Sequence, residues 1–123
     1  MKTRHLRGAV SALMGLLASL GLALAMDWST VGVTASGAEW QIRRGTAAES
    51  AGGVYQAVFR MSPAEGAAFV LQLQIERRHC GQPAGELQMR TLDGALLARA
   101  VFKTGDGQAA SVLAEALCKA VGK

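Results

Sequence analysis

The sequence predicts an α+β domain: an antiparallel meander sheet of four to six strands with one C-terminal helix packed on one face. Three observations carry that expectation. Four segments alternate apolar and polar residues with a period of two, short turn-forming stretches separate them, and the last apolar segment changes to a helical period. Short connections between successive strands favour antiparallel neighbours, and a helix with one apolar stripe must bury it against the apolar side of the sheet.

The strands can be taken in order. "DWSTVGV" and "EWQIRR" read as two short strands around the turn "TASGA", and "GTAAESAGG" (45–53) reads as a loop without periodicity. In "VYQAVFRM", Tyr55, Ala57, Phe59 and Met61 share one parity, opposite Gln56 and Arg60. "FVLQLQIER" sets Phe69, Leu71, Leu73 and Ile75 against Gln72, Gln74 and Glu76. "ELQMRT" sets Leu87 and Met89 against Glu86, Gln88 and Arg90, and "ALLARAVFK" places Leu96, Ala98, Ala100 and Phe102 inside. Strands of this kind have one packed face and one wet face. "SPAEG" and "GQPAG" are turns, and Asp93-Gly94 is the dipeptide expected of a two-residue type I′ hairpin. In "QAASVLAEALCKAV", Ala110, Leu113, Ala114, Leu117 and Val121 follow helical spacing, and Asp106 in "TGDG" is the expected cap. A helix this short is marginal alone, so it must dock.

Residues 1–25 are expected to be a cleaved secretory signal. Lys2, Arg4 and Arg7 precede the apolar run Ala9–Ala25, which closes on Ala23-Leu24-Ala25, a small-x-small cleavage pattern. Residues 26–123 then form one domain, exported to the periplasm, the cell surface or the medium, with no stable membrane insertion after cleavage. Without the leader, the 13 basic residues become 10 against 9 acidic ones, so the basic balance that would suggest nucleic-acid binding is largely lost. A domain of this size is marginal without a staple, and an oxidising compartment allows one between Cys80 and Cys118.

The most chemically loaded run is "IERRHCG" (75–81), where Arg77, Arg78, His79 and Cys80 stand together. A thiol with a neighbouring base, a metal site and a structural staple are the three readings. In a continuing strand, adjacent side chains point to opposite faces, which separates His79 from Cys80. His79, Cys80 and Cys118 offer three metal ligands without C-x-x-C spacing or an evident fourth. A Cys80–Cys118 disulfide would tie helix to sheet, and it is the expected pairing; the role of His79 stays open.

"GDGQ" lacks the phosphate-loop pattern, and Glu76, Glu86, Asp93 and Asp106 fall into no catalytic pairing. No enzyme activity, metal or cofactor is therefore expected. What remains is the wet face, where Gln56, Arg60, Gln72, Gln74, Gln88, Arg90 and also Arg99 share the outward parity and form the candidate binding surface. Trp28 and Trp40, near the start of the sheet, are expected in core or edge packing.

The leader, "DWSTVGV…GAEWQI" with its early Trp, "YQAVFR", a strand ending in Cys80 and the "LAEALC" helix together resemble the surface-adhesin protein E family. That resemblance covers most of residues 27–121. It implies a small exported bacterial protein with an antiparallel sheet and a C-terminal helix tied by a disulfide, and adhesion to a host matrix protein. No cysteine follows the cleavage site, so a lipid anchor is not implied, and no adhesive segment is carried over residue by residue. The expected function is an exported, non-enzymatic binding or adhesion domain of the bacterial envelope with a protein or glycan partner. The alternative is a periplasmic accessory protein, an inhibitor or envelope-assembly partner, that buries its Gln/Arg-rich sheet face on another protein.

Overall fold

The computed structural model describes residues 27–122; the predicted signal segment lies outside them. Strands β1 (Trp28–Val33), β2 (Glu39–Arg43), β3 (Ala48–Glu49), β4 (Val54–Ser62), β5 (Phe69–Glu76), β6 (Ala84–Arg90) and β7 (Leu96–Lys103) precede helix α1 (Ala109–Val121). They form one antiparallel sheet in the order β1-β2-β4-β5-β6-β7, with β3 pairing β4 as well. The α+β architecture expected from the alternation is present. The segment 45–53, expected to be loop, differs in one respect: Ala48 and Glu49 pair with Gln56 and Tyr55. Two residues are too few to show a period, so only the partner strand reveals them.

Three of the hairpins use one device. Thr34–Ala38, Ser50–Val54 and Thr91–Ala95 each close with a bond from the first N–H to the last carbonyl and a second from the glycine N–H back to the first carbonyl. The fourth residue is Gly37, Gly53 or Gly94, each at positive φ. That is a three-residue loop, a type I turn followed by a left-handed glycine. The type I′ turn expected at Asp93-Gly94 is therefore corrected: only Gly94 has positive φ (100°), and no residue other than glycine does among the described residues. Asp93 instead accepts a hydrogen bond from the Thr91 hydroxyl, whose oxygen in turn accepts the Ala95 N–H at 2.9 Å.

The core lies between the sheet and α1. Ala57 and Phe59, Leu71, Leu73 and Ile75, Leu87, and Phe102 are buried against Leu113, Ala114 and Leu117. Trp40 and Ile42 pack at its margin. Three inward expectations fail: Phe69 (46% exposed) and Leu96 (44%) at the end of the sheet remote from the disulfide, and Ala98, also exposed, further along the edge strand β7. The register slips between Met89 and Arg90, pairing Leu96 with Arg90 and taking it off the inward parity. The helix, about 20 Å long, does not bury Phe69 at that end.

Helix α1 is pinned at both ends. Asp106 accepts from the Gln108 N–H (2.9 Å) and from the Ser111 hydroxyl (2.6 Å), although the N-cap position itself belongs to Gln108. Near the other end, Cys118 is bonded to Cys80, with Cα atoms 5.8 Å apart. Gly85, beneath this junction, has no room for a Cβ: one would stand 2.7 Å from Phe102 Cζ and 2.9 Å from His79 Cβ.

The disulfide closes a loop across 38 residues of sequence. Replacing both cysteines by serine is predicted to cost about 2–4 kcal/mol of unfolding free energy, measured by urea denaturation. Asp106 gives a pH test. The Ser111 hydroxyl, then the Gln108 N–H, hold its carboxyl below the ordinary aspartate range. Because the folded-state value lies below the unfolded one, this contribution is present at neutral pH and is lost as the pH falls through the folded-state value. Asp106→Ala is therefore predicted to lower Tm at pH 7, with a gap from wild type that narrows below about pH 4.

Candidate functional site

The "IERRHCG" run resolves into separate roles. Strand β5 ends at Glu76, and Arg77–His79 form a single 3-10 turn that carries the chain into Cys80. Because the chain leaves extended conformation there, strand parity no longer governs His79 and Cys80. The staple removes Cys80 as a nucleophile, and there is no free cysteine among the described residues. His79 Nδ1 accepts the Glu86 backbone N–H at 3.2 Å, which leaves the ring proton on Nε2, 3.9 Å from the Glu76 carboxylate. Its role is to satisfy the start of β6. Arg78 hydrogen-bonds Glu76 and holds that carboxyl below the ordinary glutamate range, and Arg77 lies 3.4 Å from Glu49.

The open face of the sheet gathers the other predicted residues. The registers align Gln56, Gln74, Gln88 and Arg99 in one row across β4 to β7, and Val58, Gln72 and Arg90 in the next. Arg90 binds the rows together: Nε donates to Gln74 Oε1 (3.0 Å), Nη2 to Gln88 Oε1 (2.8 Å) and Nη1 to the Gly94 carbonyl (2.9 Å). Gln74 Nε2 then donates to Gln56 Oε1 (3.2 Å) and Gln72 Oε1 (3.5 Å). Arg60 stands apart from this cluster. It donates through Nε to Gln41 Oε1 at 2.6 Å, and its guanidinium lies 4.5 Å over the Trp28 ring. Arg99, more exposed, pairs with Glu86 at 3.8 Å.

Gln41 and Trp28 are thus members of the face that sequence reasoning did not assign to it. Trp40 joins the core margin, whereas Trp28 sits half-buried on the edge strand β1 under Arg60. For Gln41 the signal was available: it has the same parity as Glu39 and Arg43 in "EWQIR", opposite Trp40 and Ile42. For Trp28 it was not, because a register shift between Thr30 and Gly32 breaks the alternation of β1.

The face carries amides and guanidiniums held by one another, with Val58 and Val70 among them and the carboxylates of Glu39, Glu76 and Glu86 around them. At one end of the face Glu76, His79 and Glu86 line a common hollow with Gln74 and Gln88, His79 Nε2 standing 3.9 Å from the Glu76 carboxylate. Among the described residues, no group of three His, Cys, Asp or Glu side chains could hold a metal ion, and no helix is long and apolar enough to cross a membrane.

The role read for His79 can be checked directly. His79→Phe keeps the ring volume and removes the acceptor of the Glu86 N–H, so it is predicted to lower stability by about 1–2 kcal/mol in urea unfolding. Comparison with protein-family models, with curated proteins and with solved structures returns no match for this chain.

Proposed function

We propose that this chain is an exported, non-enzymatic binding domain of the bacterial envelope that captures its partner on the open sheet face. The observation that carries the reading is the ordered polar network of Gln56, Gln72, Gln74, Gln88 and Arg90, with Arg60 beside it, on the sheet face that no helix covers among the described residues. Long polar side chains on a solvated sheet normally lose their freedom on binding; here they are already held in place, which lowers the entropic cost of capture. The basic, apolar, small-residue order of residues 1–25 supports export, and the spacing that resembles the surface-adhesin protein E family points to adhesion.

A second reading, an accessory partner in envelope assembly, is favoured by a different observation. β7 is an edge strand of eight residues, with Val101 78% exposed and Leu92, Leu96 and Leu97 exposed around its start. An apolar edge of this length is a template for strand addition by another chain.

One experiment tests both. Immobilised protein is used to capture ligands from solubilised envelope, with Arg60→Glu/Arg90→Glu and with Val101→Lys/Ala100→Pro as competitors for the two surfaces. The face reading predicts that the double-Glu variant, with its fold verified by circular dichroism, loses capture at least tenfold while the edge variant retains it. The opposite pattern supports the accessory reading, and capture unchanged in both variants refutes the two together.

A further inference from the structure

Arginine has no hydrogen-bond acceptor, and this dictates which way the glutamines of the open face point. Arg60 Nε must face an oxygen of Gln41, Arg90 Nε an oxygen of Gln74, and Arg90 Nη2 an oxygen of Gln88. With its oxygen committed to Arg90, Gln74 can offer only its NH2 group to Gln56 and Gln72, so their oxygens are committed as well. Each of the five glutamine oxygens therefore accepts one hydrogen bond inside the face and keeps one lone pair. The NH2 groups of Gln56, Gln72 and Gln88 have no protein acceptor among the described residues, and none is a buried orphan, so they stand open to solvent. The face therefore presents free amide NH2 groups around the two guanidiniums.

Charge follows the same pattern. Arg43, Arg77, Arg78 and Arg99 each have a carboxylate partner. Among the described residues Arg44, Arg60 and Arg90 do not: Arg44 donates to the Ser29 hydroxyl, the partners of Arg60 and Arg90 are amide oxygens, a carbonyl and an aromatic ring, and Glu39 reaches Arg60 only through Gln41. Glu76 and Glu86 lie at the other end of the face, each beside its own arginine. Among the described residues no carboxylate lies within ion-pair distance of Arg60 or Arg90.

Spacing selects among anions. Arg60 is paired with Val70, and Arg90 with Gln72, so the two arginines are two strands apart and offset by two residues along β5. At about 4.8 Å between strands and about 3.4 Å per residue, their Cα atoms are roughly 12 Å apart. Their guanidiniums are drawn apart, that of Arg60 toward Gln41 and Trp28 and that of Arg90 toward Gln74, Gln88 and Gly94, so a polymer with an anion on every unit can meet both where a single carboxylate meets one. Between them the strands present Val58, Val70 and the Gln72 amide. Sugar rings with an apolar face and with hydroxyl and carboxylate oxygens on their rims match two valines flanked by donors.

We infer that the Arg60–Arg90 end of the open sheet face is a binding site for an acidic polysaccharide of the uronate type, with Arg60 and Arg90 on its carboxylates and the NH2 groups of Gln56, Gln72 and Gln88 on its remaining oxygens. This rests on the open face being the capture surface and names the chemistry it captures.

The test is titration of the protein with polygalacturonate at low salt by calorimetry, with neutral dextran and poly-glutamate as comparison ligands. Expected are binding of polygalacturonate that weakens as salt is raised, no binding of dextran, and markedly weaker binding of poly-glutamate. Arg60→Gln/Arg90→Gln should reduce affinity at least tenfold. Gln88→Glu keeps the oxygen that Arg90 needs, so the fold and network persist, yet it places a carboxylate in the footprint and should also reduce affinity at least tenfold. Absence of polygalacturonate binding, equal binding of poly-glutamate, or affinity unchanged in both variants would overturn the assignment. If it is overturned while Arg60→Glu/Arg90→Glu still abolishes envelope capture, the face remains the capture surface and only the ligand class is wrong.

Discussion

Helix α1 is the cover for the apolar side of the sheet, and most of the structure follows from how it is held. Leu113, Ala114 and Leu117 bury Phe59, Leu71, Leu73, Ile75 and Leu87, and without them those side chains would face water. A helix of thirteen residues does not persist on its own, so its position has to be imposed at its ends. Asp106 and Ser111 hold its start, and the Cys80–Cys118 bond ties the other end to the turn that follows β5. At that junction Phe102, His79 and the backbone of Gly85 meet so closely that a methyl group has no place.

Covering one face leaves the other to solve a different problem. Its strands carry glutamine and arginine where solvent reaches, and surface ion pairs contribute little to stability. The side chains instead order one another through neutral acceptors, and arginine imposes a single polarity on the amides. One consequence is local rigidity. Another is a surface on which every glutamine oxygen has one partner inside the network while the NH2 groups of Gln56, Gln72 and Gln88 have none among the described residues. The two faces are linked through β4, β5 and β6, whose alternating residues serve the core on one side and this array on the other.

The far end of the sheet shows where the single cover runs out. Phe69 at the start of β5, and Leu92, Leu96 and Leu97 on or next to β7, the edge strand among the described residues, are exposed at the end away from the disulfide. The opposite edge, β1, is shorter and interrupted by its register shift, a feature that discourages strand addition. The molecule therefore has one blunted edge and one open one.

Much of this was determined by the sequence alone, because period and turn chemistry are local properties. Alternation in "VYQAVFRM" and "FVLQLQIE" sorted Phe59 and Leu73 from Gln56 and Gln74, and helical spacing placed Leu113 and Leu117 on the buried stripe. The Cys80–Cys118 pairing followed once helix and sheet had to meet. What only the tertiary structure decided depends on register and on chain ends. The slip between Met89 and Arg90 exposes Leu96, the two-residue β3 exists only as a partner of β4, and the 3-10 turn at Arg77–His79 aims an imidazole nitrogen at the Glu86 N–H. The polarity of the open face belongs to the same class. Parity could place Gln56, Gln72, Gln74, Gln88 and Arg90 on one side, but which atom of each amide faces outward is set by residues from three strands meeting around one guanidinium. A one-dimensional pattern records which side a residue takes, and only packing in space determines what it meets there.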